Sequence, residues 1–136
     1  MEAQTELLTE ITAQLVLALA PGWSRIQADY DAAGDYTMCS ALVWTLNGGV
    51  YGTSLPESAE RGFATLRAGM ARPGTGTWLH ATYWLNYPDQ FSVDYDRQGK
   101  PGFRVPPTAK DYARELELYP RSAENIPDWM REVLEG

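Results

Sequence analysis

The chain of 136 residues carries few side chains that could do chemistry, so those few come first. It has one histidine, His80, and one cysteine, Cys39, far apart in sequence. A zinc site takes three or four nitrogen, sulfur or oxygen ligands with some local spacing, and no such grouping is present; no metal and no cofactor are expected. His80 acting as a general base would need a reacting group within hydrogen-bond reach, and no motif supplies a nucleophile for it. Gly74-Thr75-Gly76 is glycine-rich. It lacks the Lys-Ser/Thr of a phosphate-binding loop and precedes a strand rather than a helix. Asp94 and Asp96 lie two apart on one strand. A glycosidase-type pair needs carboxylates facing each other about 5–10 Å apart across a cleft, which neighbours on one strand face do not provide. No catalytic residue is assigned, and the residues left to carry function are those of a surface.

That surface belongs to the stretch from Thr77 to Phe103, which reads as two strands and a tight turn. Leu79, Ala81, Tyr83 and Leu85 alternate with Trp78, His80, Thr82, Trp84 and Asn86, and successive strand side chains point to opposite faces. Tyr87-Pro88-Asp89-Gln90 supplies turn chemistry. Phe91, Val93 and Tyr95 then alternate with Ser92, Asp94 and Asp96. The expected hairpin has one apolar face and one mixed face rich in Trp and Asp.

The rest of the chain must support this hairpin. Residues 3–20 place Leu7, Leu8, Ile11, Leu15, Ala18 and Leu19 on one helical stripe, and Pro21-Gly22 ends it. Strands follow at Trp23–Tyr30, Tyr36–Leu46 and Val50–Leu55. They are joined by a turn at Asp31–Asp35 and by Asn47-Gly48-Gly49, whose residues tolerate the positive φ of a tight hairpin. Pro56–Ala71 reads as a second helix with Ala59, Phe63, Leu66 and Met70 on one face; Gly62 and Gly69 weaken it by about 1 kcal/mol each. Thr108 followed by Asp111 resembles a capping box and opens a third helix with Tyr112, Leu116 and Tyr119 inward. A last short helix starts at Ile126-Pro127. Short turns between strands imply antiparallel pairing. The expected fold is α+β: one domain, an antiparallel sheet of about five strands, and helices packed on one face.

Composition narrows the partners. An apolar share of 44%, with five Trp and eight Tyr, supports a packed core rather than disorder. A single cysteine and no signal-peptide pattern point to a reducing, cytoplasmic home, and no apolar run reaches membrane-spanning length. The net charge of −7 disfavours nucleic acid, whose phosphates would repel it, and suits a basic protein partner.

Several segments resemble the YezG-like immunity proteins of bacterial polymorphic toxin systems. Pro21-Gly22-Trp23-Ser24-Arg25-Ile26 after an amphipathic helix is similar to that family's opening. Phe63-x-x-Leu66-Arg67, Gly76-Thr77-Trp78 and Phe91-Ser92-Val93-Asp94-Tyr95-Asp96 follow in the same order. The tail from Pro107 through Tyr112, Glu115-Leu116 and Tyr119-Pro120-Arg121 to Ile126-Pro127-Asp128-Trp129-Met130 resembles the actinobacterial form. The resemblance spans roughly residues 7–130 and implies a cytosolic antitoxin that binds and inhibits a cognate toxin, a nuclease or another secreted enzyme.

For the antitoxin that the resemblance implies, the expected toxin-binding residues are Asp94, Asp96, Trp78 and Trp84 on the mixed face of the hairpin, with Glu115 and Glu117 as a second acidic patch. One alternative is a small-molecule-binding or enzymatic domain with an aromatic pocket lined by Trp44, Tyr83, Trp84 and Tyr95. Another is an adaptor that dimerises through a sheet edge.

Overall fold

A computed structural model describes residues 2–136. Four helices and five strands follow in chain order: α1 (Glu2–Ala18), β1 (Trp23–Ala33), β2 (Tyr36–Thr45), β3 (Val50–Thr53), α2 (Glu57–Gly69), β4 (His80–Asn86), β5 (Gln90–Asp96), α3 (Ala109–Leu118) and α4 (Asp128–Glu135). A single 3-10 turn, Ala123–Asn125, precedes α4. The strands form one antiparallel sheet in the order β3-β2-β1-β4-β5. The fold is α+β, as the alternation and turn chemistry predict. β1 lies at the centre, between β2 and β4.

The chain gathers into two compact units, each drawing residues from β1, β2, β4 and β5. The first holds the chain up to Asp29, Cys39–Gly69 and Thr82–Asp94. Its core is made by residues of one strand parity, Ile26 and Ala28 on β1, Ala41 and Val43 on β2, and Tyr83 and Leu85 on β4, all buried. α1 and α2 close over them. Phe63 of α2 meets the Tyr83 ring edge-on at 5.9 Å, and Thr12 of α1 hydrogen-bonds the Tyr83 hydroxyl. Gly62 has a role that propensity alone hides. A Cβ there would sit 2.6 Å from Ile11 Cγ1, so the glycine is what lets α1 approach α2. The helix-weakening residue is a packing residue.

The second unit holds Tyr30–Met38, Met70–Ala81 and Tyr95–Gly136. Ala33, Leu79, Tyr112 and Met130 form its buried centre, with Phe103, Leu116 and Trp129 packed around them. α3 starts at Thr108, whose backbone N–H donates to the Asp111 carboxylate at 2.8 Å, in line with the expected cap. The β1–β2 turn is only Gly34-Asp35, with φ +64° at Gly34. Gly at the first central position is what a II′ hairpin turn requires.

Two sequence expectations change here. Asp31-Ala32-Ala33 reads as a turn by composition but continues β1. The polar Asp31 is tolerated in a buried strand because its Oδ1 accepts from Gly102 N–H at 3.0 Å and meets His80 Nδ1 at 2.6 Å. The second change concerns the start of β4. The regular strand begins at His80, not Thr77, and the chain bends at Leu79. Residues before a bend lose the strand's alternation, so Trp78 and Leu79 are both fully buried.

Candidate binding face

The first unit has a second sheet surface, made by the opposite strand parity. Tyr83 stacks on Phe91 at 6.1 Å, which assigns Phe91 to the helix-covered side. Ser92 and Asp94, of the other parity, therefore share the outer side with Thr82 and Trp84 of β4. Arg25, Gln27 and Asp29 on β1 and Leu42 and Trp44 on β2 complete it. This side is open: Leu42 is 41% exposed, and Val50 of β3, paired with Trp44, is 51% exposed.

Arg25 sits at its middle. β1 lies between β2 and β4, so its side chain falls between one tryptophan from each neighbour. The guanidinium carbon lies 4.4 Å from the Trp84 ring centroid and 5.7 Å from that of Trp44. Both distances are within the reach of a cation–π contact, which is about 0.5–1 kcal/mol at an exposed site. Two same-face steps along β1, Asp29 is already engaged: Gln27 Nε2 donates to its Oδ2 at 3.1 Å and Thr82 Oγ1 to its Oδ1 at 3.2 Å. Among the described residues, Arg25 has no hydrogen bond or ion pair, and its contacts are the two indole rings.

The residues expected to bind a partner are placed unequally. Trp84 is half-buried beneath Arg25, and Asp94 is exposed on the same side. Asp96 is exposed but occupied, its Oδ1 accepting from Gln98 and Gly99 N–H at 3.1 and 2.8 Å. It caps the turn after β5. Trp78 cannot join any surface. It is 0% exposed, packs against Tyr30 and Tyr95, and donates its indole N–H to Met70 Sδ. Glu115 is likewise 0% exposed and accepts from Gly34 N–H at 2.8 Å. Glu117 is exposed and paired with Arg114 at 2.6 Å. Residues two apart on a helix do not share a face, so Glu115 and Glu117 do not form one acidic patch.

The aromatic pocket does not assemble either. Trp44 and Trp84 lie with Arg25 on the outer side, whereas Tyr83 is buried among Phe63, Thr12 and Phe91. Tyr95 packs on Trp78 instead. In the second unit, a groove of about 400 Å³ runs between Ala71–Gly74 and Leu118–Pro120. It contains none of the residues singled out from sequence.

Nothing in the sequence marks Arg25, because a lone basic residue in an alternating strand carries no signal. Its value comes from Trp44 and Trp84, which are 19 and 59 positions away in the chain. The Asp31 partner of His80 is equally unmarked, because its composition reads as a turn.

Among the described residues, no helix is long and apolar enough to cross a membrane. No family model matches this chain, and no curated protein matches it.

Proposed function

We propose that this protein is an immunity protein that binds and inhibits a cognate toxin domain of a bacterial polymorphic toxin system, acting in the cytoplasm. The observation that carries this reading is the open face of the first unit, where Arg25 is held between Trp84 and Trp44 and bordered by exposed Leu42 and Val50. Tryptophan and arginine dominate the energetics of protein interfaces, especially where they cluster at the centre of a patch. Leu42 and Val50 supply apolar area around them, and Asp94 supplies a charged rim. A net charge of −7 would speed encounter with a basic toxin. The resemblance in the segments around Trp23, Phe63 and Tyr119 supports the same reading.

The test is co-expression with the C-terminal domain encoded by the adjacent reading frame. A stable complex together with rescued growth is the expected result. Failure of both would overturn the proposal. Within a complex, replacing Leu42 or Trp84 by Ala should weaken binding at least tenfold, and unchanged affinity for both would move the interface off this face.

A further inference from the structure

We infer that Arg25 is a preformed carboxylate receptor, and that the partner protein docks by presenting an Asp or Glu side chain to it. This rests on the inhibitor reading above and specifies the chemistry at the centre of its interface.

The argument starts from an imbalance. The chain carries 18 acidic and 11 basic residues, so cations are scarce, and Arg61, Arg114 and Arg131 each pair with a carboxylate. Yet Arg25 has no anionic partner among the described residues, and its two contacts are indole rings. The guanidinium carbon lies over both rings, and none of its five N–H donors meets a hydrogen-bond acceptor among the described residues. Asp29, the carboxylate on the same face of β1, lies roughly 13 Å along the strand and is engaged by Gln27 and Thr82. The two indoles hold the guanidinium without neutralising it. Holding it in place lowers the rotamer entropy lost when a planar oxyanion binds, and a carboxylate matches the fork with two parallel hydrogen bonds.

The occupant is a protein side chain rather than a nucleic-acid phosphate. The receptor is flanked by the two indoles, with apolar Leu42 and Val50 beside Trp44, and Asp94 is exposed on the same side two strands away. A polyphosphate backbone would meet Asp94 and the overall −7 charge as repulsion. A single carboxylate set in an apolar or basic surface would not. A single reversed pair at the centre also fixes register and partner choice, because a toxin lacking that carboxylate leaves the arginine buried and unpaired.

The experiment uses the full chain and the toxin domain encoded beside it. Affinity is measured by calorimetry for wild type, R25K and R25E, with circular dichroism and melting to confirm folding. Lys keeps the charge but loses the fork and the stacking, so R25K should weaken binding at least tenfold and R25E at least a hundredfold. Changing each toxin Asp and Glu to Arg in turn should find one position that recovers at least tenfold affinity with R25E. Folded R25K that binds like wild type, or no toxin position that rescues R25E, overturns the receptor while leaving the inhibitor reading in place. A wild-type chain that does not bind the toxin domain at all overturns both.

Discussion

Replacing Gly34 by Ala tests how the β1–β2 turn seats α3. Two costs are visible. Gly34 has φ +64°, where an L-residue with a Cβ is disfavoured by about 1–2 kcal/mol. The added Cβ would also lie 2.6 Å from the Asp111 carbonyl oxygen and 2.9 Å from Arg114 Cβ. The first of these is a backbone atom of α3, so relief requires the helix or the turn to move, and overpacking of this kind costs about 1–3 kcal/mol. The same movement would stretch the Gly34 N–H bond to Glu115 Oε1, now 2.8 Å. The sum is about 2–5 kcal/mol. For a chain of this length, roughly 3–5 °C of melting temperature per kcal/mol puts the loss near 10 °C or more. Gly48→Ala is the control. Gly48 has φ +89°, and nothing lies within 4 Å of its would-be Cβ, so it carries only the conformational cost of about 1–2 kcal/mol. Calorimetric melts of both variants separate the contact from the strain. Equal shifts for the two, or a Gly34→Ala shift under about 2 °C, would refute the seating of α3 on this turn.

Three further predictions concern buried and half-buried polar groups. Burial, together with the hydrogen bond and charge of Glu60, pushes the Cys39 thiol up to about 12. At pH 8 its alkylation should therefore be about 10²–10³-fold slower than that of a free thiol, and E60Q should speed it; a rate like that of free cysteine, followed by mass spectrometry, would contradict this. Tyr112 and Tyr83 should respond oppositely to loss of the hydroxyl. The Tyr112 hydroxyl is buried without a hydrogen-bond partner among the described residues, so Y112F should be neutral or stabilising by up to about 1 kcal/mol. Y83F breaks the bond to Thr12 and should cost about 1 kcal/mol, as read from urea midpoints. Burial raises Tyr83 and Tyr112 from 10.0 to about 12, and Cys39 from 9.0 to about 12. The folded chain then keeps protons that the unfolded chain releases, so this stability is intact below pH 9 and is lost as pH rises towards 12. Urea midpoints should fall across that window, with a shallower fall in Y83F; a flat profile would count against the burial of these groups.

Much of the fold is legible in the sequence because it rests on local patterns. Alternation around Tyr83, the Asn47-Gly48-Gly49 turn, the Thr108–Asp111 cap and the stripes around Ile11 and Phe63 each report a period or a backbone preference that neighbours in the chain impose. The misplacements share one cause. Asp31 has turn-like composition, and only a distant imidazole and amide make a buried aspartate acceptable in β1. Trp78 follows the strand parity on paper, but the bend at Leu79 turns it inward against Tyr30 and Tyr95. Glu115 looks like a surface acid on an amphipathic helix, and it is buried because Gly34 offers it a backbone donor.

The sequence by itself determined the secondary elements, the antiparallel α+β class and an acidic surface, since each follows from short-range periodicity, turn stereochemistry or summed charge. Only the tertiary structure decided which side chains meet. The order β3-β2-β1-β4-β5 brings β2 and β4 to either side of β1, and that places Trp44 and Trp84 about Arg25. Strand order and register are set by burial of the whole sheet against its helices, a property of the summed core rather than of any window of sequence. The Arg25–Trp44–Trp84 cluster is a consequence of that burial.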